Sequence, residues 1–197
     1  MTACGDIDMN TIHKGNRWRK ASLAICAVLA AALPAAPAFA ATQGTLGATS
    51  SGSVTITASV PTRARITGLS DVSFLNQDPG TAAANAQNVC VWSNTATKAY
   101  TITASGSGAS NAFTLAAGAS TVPYSVEWAS MTGQTSGTAL TAGTASASLT
   151  SAATHQTCTS GPSASASLVV RMATADLGTM TAGSTYTGTL TLLVAPQ

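Results

Sequence analysis

Apolar and polar residues alternate with a period of two in successive runs along the chain beyond residue 53. Neighbouring side chains of a β-strand point to opposite faces of the sheet, so this period is typical of a strand with one buried face. Residues 54–60, 122–128 and 186–194 show it most clearly. Clusters of glycine, serine and proline separate the runs, as turns do between strands. The pattern predicts an all-β protein, either a sandwich or a barrel.

The strand prediction covers most of the chain after residue 53. Predicted strands are 54–60, 64–69, 72–75, 89–93, 99–104, 112–116, 122–128, 145–149, 165–172 and 186–194. No window predicts a convincing amphipathic helix, and only residues 81–87 are ambiguous between helix and strand. A single domain is therefore expected, preceded by a polar segment that ends at Ser53.

Charge is scarce, which excludes one class of function. Charged residues make up 7% of the chain, against about 25% in an average globular protein. Beyond residue 40 there are four basic and four acidic residues, so the net charge there is 4 − 4 = 0. Nucleic-acid binding requires clustered Lys and Arg to neutralise phosphates, so nucleic acid is not expected as a partner. Disorder is also disfavoured, because disordered chains have high charge and few β-branched residues.

The first forty residues have the three parts of a signal peptide. Residues 13–20 are basic, residues 21–33 are mostly apolar, and Ala38-Phe39-Ala40 fits the small-x-small rule for cleavage before Ala41. The apolar run is too short to span a membrane, which takes about 20 residues. We therefore predict residues 1–40 as a signal peptide, cleaved between Ala40 and Ala41, and export of the remainder.

Cysteine usage follows from this prediction. Cys4 and Cys26 lie in the predicted signal peptide, which leaves Cys90 and Cys158. Two cysteines in an exported protein usually pair. The bridge would close a loop of about 69 residues and contribute about 4 kcal/mol in the chain-entropy model. A metal site is disfavoured, because it would need more ligands than His155 and two cysteines that are far apart in sequence.

Candidate catalytic residues are few. His155 is the one histidine beyond residue 40, and a nucleophile–base set would have to use it. A lone histidine in a loop is far more often a solvated residue without catalytic function. The carboxylates are isolated in sequence, and no phosphate loop, dinucleotide fingerprint or zinc spacing occurs. The chain is interpreted as non-enzymatic, with no cofactor and no metal.

Two tryptophans allow a binding hypothesis. Trp92 and Trp128 could together form a platform on which a sugar stacks, or each could belong to the core. Both lie inside strand-like alternation, which favours the core.

Three segments, in order along the chain, resemble parts of chaperone–usher pilins, particularly of the colonisation-factor type. Val54-Thr55-Ile56-Thr57-Ala58-Ser59-Val60-Pro61 resembles their N-terminal donor strand. Val122-Pro123-Tyr124-Ser125-Val126-Glu127-Trp128 resembles their mid-domain strand, and residues 183–194, with a Gly-x-x-Tyr start, resemble their closing strand. The spore coat protein U group, another pilin-like family, has a similar ending. On its pattern alone, the segment at 54–60 favours an ordinary first strand of the protein's own sheet.

The resemblance implies an immunoglobulin-like β-sandwich that lacks one strand and is completed by donor-strand complementation. Residues 41–61 would be an N-terminal extension with the donor strand, and residues 62–197 the pilin-like domain. The side chains expected to fill a neighbour's groove are Val54, Ile56, Ala58 and Val60. Those expected on one face of the closing strand are Tyr186, Leu190, Leu192 and Val194.

The function implied is that of a structural subunit of a surface pilus, or fimbria, which polymerises by donor-strand exchange and supports cell adhesion. Its partners would be a periplasmic chaperone, an outer-membrane usher, neighbouring pilin subunits and a surface receptor. Two alternatives stay open, namely a secreted coat or matrix protein of the spore coat protein U type and a carbohydrate-binding adhesin.

Overall fold

The computed structural model describes residues 40–197. The predicted signal peptide lies outside the described residues except for Ala40, which is exposed, as is Ala41. Between residues 40 and 197, no helix is long and apolar enough to cross a membrane.

The chain divides into two units, one ending at Thr57 and one beginning at Ala58. In the described part of the first unit, Thr42 and Ser53 form an antiparallel bridge through two reciprocal backbone hydrogen bonds of 2.9 Å. Residues 54–63 form no β-bridge with any described residue.

The second unit is built from short antiparallel strands. They are β1 Ala64–Thr67, β2 Ala83–Ser93, β3 Ala99–Gly106, β4 Thr114–Ala117, β5 Ser120–Pro123, β6 Ser125–Ala129, β7 Thr138–Ala139, β8 Leu149–Thr150, β9 Ala166–Met172 and β10 Leu190–Pro196. One 3₁₀ turn, Ala109–Asn111, and one short helix, α1 Thr174–Leu177, accompany them in the described part of the chain.

These strands form an all-β sandwich. One sheet has the order β1-β2-β9-β6-β7, a second has the order β10-β3-β8, and β4 and β5 form a separate hairpin. The core combines side chains of both larger sheets, such as Val89 and Val91 from β2 with Tyr100 and Ile102 from β3, all fully buried. The indole nitrogen of Trp128 donates to the hydroxyl of Tyr100 at 3.1 Å and so links the two layers.

Several predicted elements need correction. Residues 81–87, ambiguous in sequence, mostly belong to β2, because the backbone from Ala83 pairs with β9 despite its low β-propensity. The predicted strand 122–128 is two strands, since Pro123 cannot donate to a ladder and β5 and β6 have different partners. Residues 72–75 form no strand, and 145–149 contribute only a bridge at Ala145 and the start of β8.

Candidate binding groove

Strand β10 is an edge strand whose backbone is paired on one side only within the described residues. The amide of Gln197 donates to the carbonyl of Ala99 at 3.0 Å, which fixes the hydrogen-bonding phase of β10 on β3. Along an antiparallel strand, the backbone N–H and C=O groups of successive residues point to opposite sides. Residues three, five and seven positions before Gln197 therefore direct these groups away from β3. These positions are Leu190, Leu192 and Val194. Their N–H and C=O groups form an open edge on which another strand can pair.

The segment after β1 forms the opposite wall. After Thr67, Gly68 has a φ of +81°, a left-handed conformation that glycine adopts without strain, and residues 69–74 leave the sheet. The amide of Ser70 donates to Oε1 of Gln87 at 2.8 Å, and Nε2 of Gln87 donates to the carbonyl of Ser70 at 3.0 Å. One side chain therefore replaces the backbone of a neighbouring strand and holds this wall in place.

A cavity of about 640 Å³ lies between these walls, and we call it the edge groove. Leu69, Val72 and Phe74 line it on the first wall, and Leu190 and Leu192 on the second. The remaining apolar lining is formed by Leu115, Tyr124, Leu168, Val170 and Met172. The groove is thus a mainly apolar slot beside an unpaired strand edge, and Ser70, Asp71, Gln87 and Thr189 also line it.

The groove has a limited length. Strands β1 and β10 approach to within 8 Å between Cα atoms, whereas inserting a strand between two others takes about 9.6 Å, twice the usual spacing. The lining is confined to residues 69–74 on one side and 188–192 on the other, together with the side chains between them. A strand of about five or six residues would fill this length.

Tyr124 contributes the one buried side-chain polar atom that has no hydrogen-bond partner in the described residues. The side chain is 9% exposed, and its ring packs against Phe113 with a centroid distance of 5.7 Å. Burial raises the pKa of the Tyr124 hydroxyl, so the group is neutral at physiological pH.

The predicted donor side chains are exposed to solvent. Val54 is 71% exposed, Ile56 88% and Val60 84%, and Ala58 is also exposed. We call residues 54–60 the arm. In an extended conformation these alternate side chains would share one face and form a continuous apolar surface.

The predicted closing-strand residues separate into two groups. Leu190, Leu192 and Val194 lie in β10, half-buried on its inner face. Tyr186 precedes the strand and is buried, and its hydroxyl accepts a hydrogen bond from the amide of Thr181 at 3.2 Å. The next residue, Thr187, forms an isolated bridge with Ala116 of the β4–β5 hairpin, so Tyr186 precedes β10 and is not part of it.

Cys90 and Cys158 form a disulfide with a Cα–Cα distance of 6.4 Å. Together with Ala153 they make a small buried cluster against which Trp92 packs. Trp92 and Cys90 alternate on β2 with core residues, so they lie on the outer face of the sheet, whereas Trp128 lies in the core. The two tryptophans are on opposite faces and cannot form one sugar-stacking platform.

His155 lies in a loop among hydroxyl groups. Its Nδ1 is 2.7 Å from Oγ1 of Thr157 and 3.3 Å from Oγ1 of Thr159. Nowhere in residues 40–197 do three or more His, Cys, Asp or Glu side chains gather in a way that could hold a metal ion.

Sequence reasoning missed the residues that shape the groove from outside the strands. The sequence pattern places Gln87 only at the end of an ambiguous segment and assigns most of the wall at residues 69–74 to two predicted strands. The available signal is weak, namely a glutamine in step with the inward residues Val89 and Val91 of the same strand. The same pattern predicts Tyr124, just after Pro123, as one more residue on the apolar face of a continuous strand.

Comparison with solved structures gives a weak similarity. No protein-family model matches the chain, and no curated protein does. The chain is similar to a chain in a solved structure described as "Chaperone-tip adhesin complex is vital for synergistic activation of CFA/I fimbriae biogenesis", with 16% sequence identity and a TM-score of 0.47. The match covers 68% of this chain and 41% of that chain, so this chain spans less than half of that one's length.

Proposed function

We propose that this protein is a structural subunit of a surface pilus that polymerises by donor-strand exchange. The observation that carries the proposal is a pair of complementary features in one chain. An apolar groove runs beside an unpaired strand edge, and a separate segment of the same chain exposes apolar side chains at strand spacing. In this proposal the sandwich lacks its final strand, and the arm of a second copy supplies it.

The arm fits the groove in period and in chemistry. Extended, its residues Val54, Ile56, Ala58 and Val60 share one face, as Leu190, Leu192 and Val194 share the inner face of β10. A strand paired on β10 directs the side chains opposite these three residues to the same face, so the apolar side of the arm enters the groove. Burial of each Val or Ile contributes about 1.5–3 kcal/mol, in addition to the backbone hydrogen bonds.

The shape of the groove indicates the direction of entry. The slot is narrow where β1 approaches β10, so the arm enters at the end near Leu190. Val60 stays close to the donor's own domain and therefore remains at the entrance. The N-terminal end of the arm then lies deepest, and the arm runs antiparallel to β10.

Head-to-tail contacts of this kind do not close on themselves and build a filament. An open strand edge is prone to aggregate during export and needs temporary cover, which a periplasmic chaperone gives by adding a strand of its own. An outer-membrane usher would then exchange chaperone for subunit and export the filament to the cell surface, where it supports adhesion.

Two matched substitutions in the arm test the proposal. Ile56→Asp places a charge on the face that enters the groove, whereas Thr57→Asp places the same charge on the opposite face. We expect Ile56→Asp to abolish assembly of the purified mature chain, because burying an unpaired carboxylate is very costly, and Thr57→Asp to assemble nearly as well as the wild type. Size-exclusion chromatography with light scattering and electron microscopy measure the outcome.

Deletion of residues 41–61 gives a second test, in which we expect a secreted subunit that does not polymerise. Filaments of normal length from that deletion, or from Ile56→Asp, would refute the proposal.

A further inference from the structure

Asn94, in the turn after β2, holds the segment that connects the arm to β1. Its Oδ1 accepts a hydrogen bond from the amide of Arg63 at 2.6 Å, and its Nδ2 donates to the carbonyl of Pro61 at 2.9 Å. Its own amide donates to the carbonyl of Arg63 at 3.1 Å. Three backbone groups of residues 61–63 are thus bound to one asparagine.

These bonds continue the pairing of β1 with β2 by one register position. Ala64 pairs with Ser93, and Arg63 lies opposite Asn94. Residues 61–63, which we call the linker, therefore continue the direction of β1 where they leave the sheet. Pro61, whose φ is fixed near −65°, makes the chain stiffer directly after the last residue of the arm.

The arm of a chain can reach the groove of the same chain only by reversing direction at residues 61–63. β1 runs from Ala64 to Thr67, and the groove wall at 69–74 follows it. The groove therefore lies beyond Thr67, whereas the linker is attached at Ala64, the other end of β1. A returning arm would have to form a hairpin with a three-residue loop. Such a loop can form only if the backbone groups of Pro61 and Arg63 turn away from Asn94 and lose their hydrogen bonds to it.

We infer that Asn94 is a positioning residue that directs the arm to the groove of a second copy and away from its own. The inference rests on the proposed function. It adds what determines whether the arm enters the groove of a second copy or the groove of its own chain. Without the Asn94 side chain, the linker loses two of its three hydrogen bonds and can turn back, so a larger share of the chains fill their own groove and do not assemble.

The test uses the full mature chain, unfolded in guanidinium with its disulfide intact and refolded by dilution. The variants are Asn94→Ala, Asn94→Asp, which keeps the acceptor for the Arg63 amide but loses the donor to Pro61, and an insertion of three glycines after Pro61. Thr97→Ala is the control, because Thr97 lies exposed in the same turn and its side chain makes no hydrogen bond in the described residues. Light scattering measures the ratio of monomer to assembly, and hydrogen exchange measures protection of the arm amides in the monomer.

We expect Asn94→Ala to raise the ratio of monomer to assembly about tenfold, since hydrogen bonds of this kind each change an equilibrium severalfold. The arm amides of that monomer should be protected. Asn94→Asp should give a smaller shift in the same direction, the glycine insertion a shift at least as large as Asn94→Ala, and Thr97→Ala none.

Assembly of Asn94→Ala at the wild-type level, or a monomer whose arm amides exchange freely, would overturn the inference. The proposed function fails by a different result, namely a wild-type chain that does not assemble or that assembles equally well with Ile56→Asp.

Discussion

The two edges of the three-stranded sheet β10-β3-β8 differ in how they are covered. On one side of β3, residues 143–150 cover the edge through β8, a bridge from Ala145 to Thr103, and hydrogen bonds from the amides of Gly143 and Ser146 to the carbonyls of Ala104 and Ile102, both 2.8 Å. On the other side lies β10, whose outer backbone is unpaired in the described residues and borders a cavity.

The difference shows that the open edge is a specific feature of this fold. Proteins commonly protect strand edges with short strands and covering loops, because an exposed edge promotes aggregation. This chain does so at the covered edge, where β8 has two residues, and leaves seven residues of β10 paired on one side only. We interpret the open edge as a binding site for a strand that is not part of this sheet.

The largest effect is expected when the open edge is filled within one chain. A copy of residues 53–61 attached after Gln197 through a flexible linker, in a chain lacking residues 41–61, should bind the groove intramolecularly. We expect the free energy of unfolding to rise by about 3–6 kcal/mol, because three or four apolar side chains become buried at about 1.5–3 kcal/mol each and ordering the strand offsets part of the gain. Urea unfolding monitored by tryptophan fluorescence measures the change.

The matched control carries aspartate at the position equivalent to Ile56 in the attached segment, and it should show no stabilisation. An equal gain from both segments would mean that the open edge does not recognise the apolar face of the arm.

The sequence predicts one of these edges better than the other. The face shared by Leu190, Leu192 and Val194 follows from period-two alternation, so β10 and its inner face were predictable. The covered edge depends on backbone hydrogen bonds from Gly143 and Ser146, in a Ser/Thr/Ala/Gly-rich stretch whose composition carries almost no periodic signal.

The groove itself required tertiary information. The tether between Gln87 and Ser70 joins residues 17 apart and has no local pattern. The linker geometry depends on contacts between Asn94 and residues 31 and 33 positions earlier. β2 extends back to Ala83 because β9 supplies a partner for its backbone, which outweighs the weak strand preference of alanine and asparagine.

A pair of substitutions compares how side chains support each edge. Gln87→Ala removes two hydrogen bonds from the groove wall at Ser70, and Ser146→Ala removes an acceptor, at 3.1 Å, for the amide of Ile102 at the covered edge. Each should lower the free energy of unfolding by about 1–2 kcal/mol. Only Gln87→Ala should also weaken assembly, by about tenfold, because the wall at 69–74 loses its fixed position. Equal assembly by both variants would show that this wall does not contribute to the arm site.

The smallest expected effect on the free energy of unfolding comes from replacing two buried tyrosines by phenylalanine, one at a time. The hydroxyl of Tyr100 accepts the hydrogen bond from Trp128, whereas that of Tyr124, beside the groove, has no partner in the described residues. Tyr100→Phe leaves the Trp128 indole nitrogen unpaired and should cost about 1–2 kcal/mol, while Tyr124→Phe removes an unsatisfied polar group and should change stability by about 0 to +1 kcal/mol. Urea unfolding at pH 7 measures both.

The pH dependence of stability adds a second measurement on the same two variants. Burial raises the pKa of both hydroxyls above 10, partly countered at Tyr100 by the hydrogen bond from Trp128. The folded chain therefore holds these protons more tightly than the unfolded chain, so their contribution is complete below pH 10 and is lost as the pH rises through the folded-state pKa. Each Phe variant should lose less stability than the wild type between pH 9 and about 11. A destabilised Tyr124→Phe at pH 7 would mean that its hydroxyl has a partner, such as a bound water, and that this side of the groove is as fully satisfied as the covered edge.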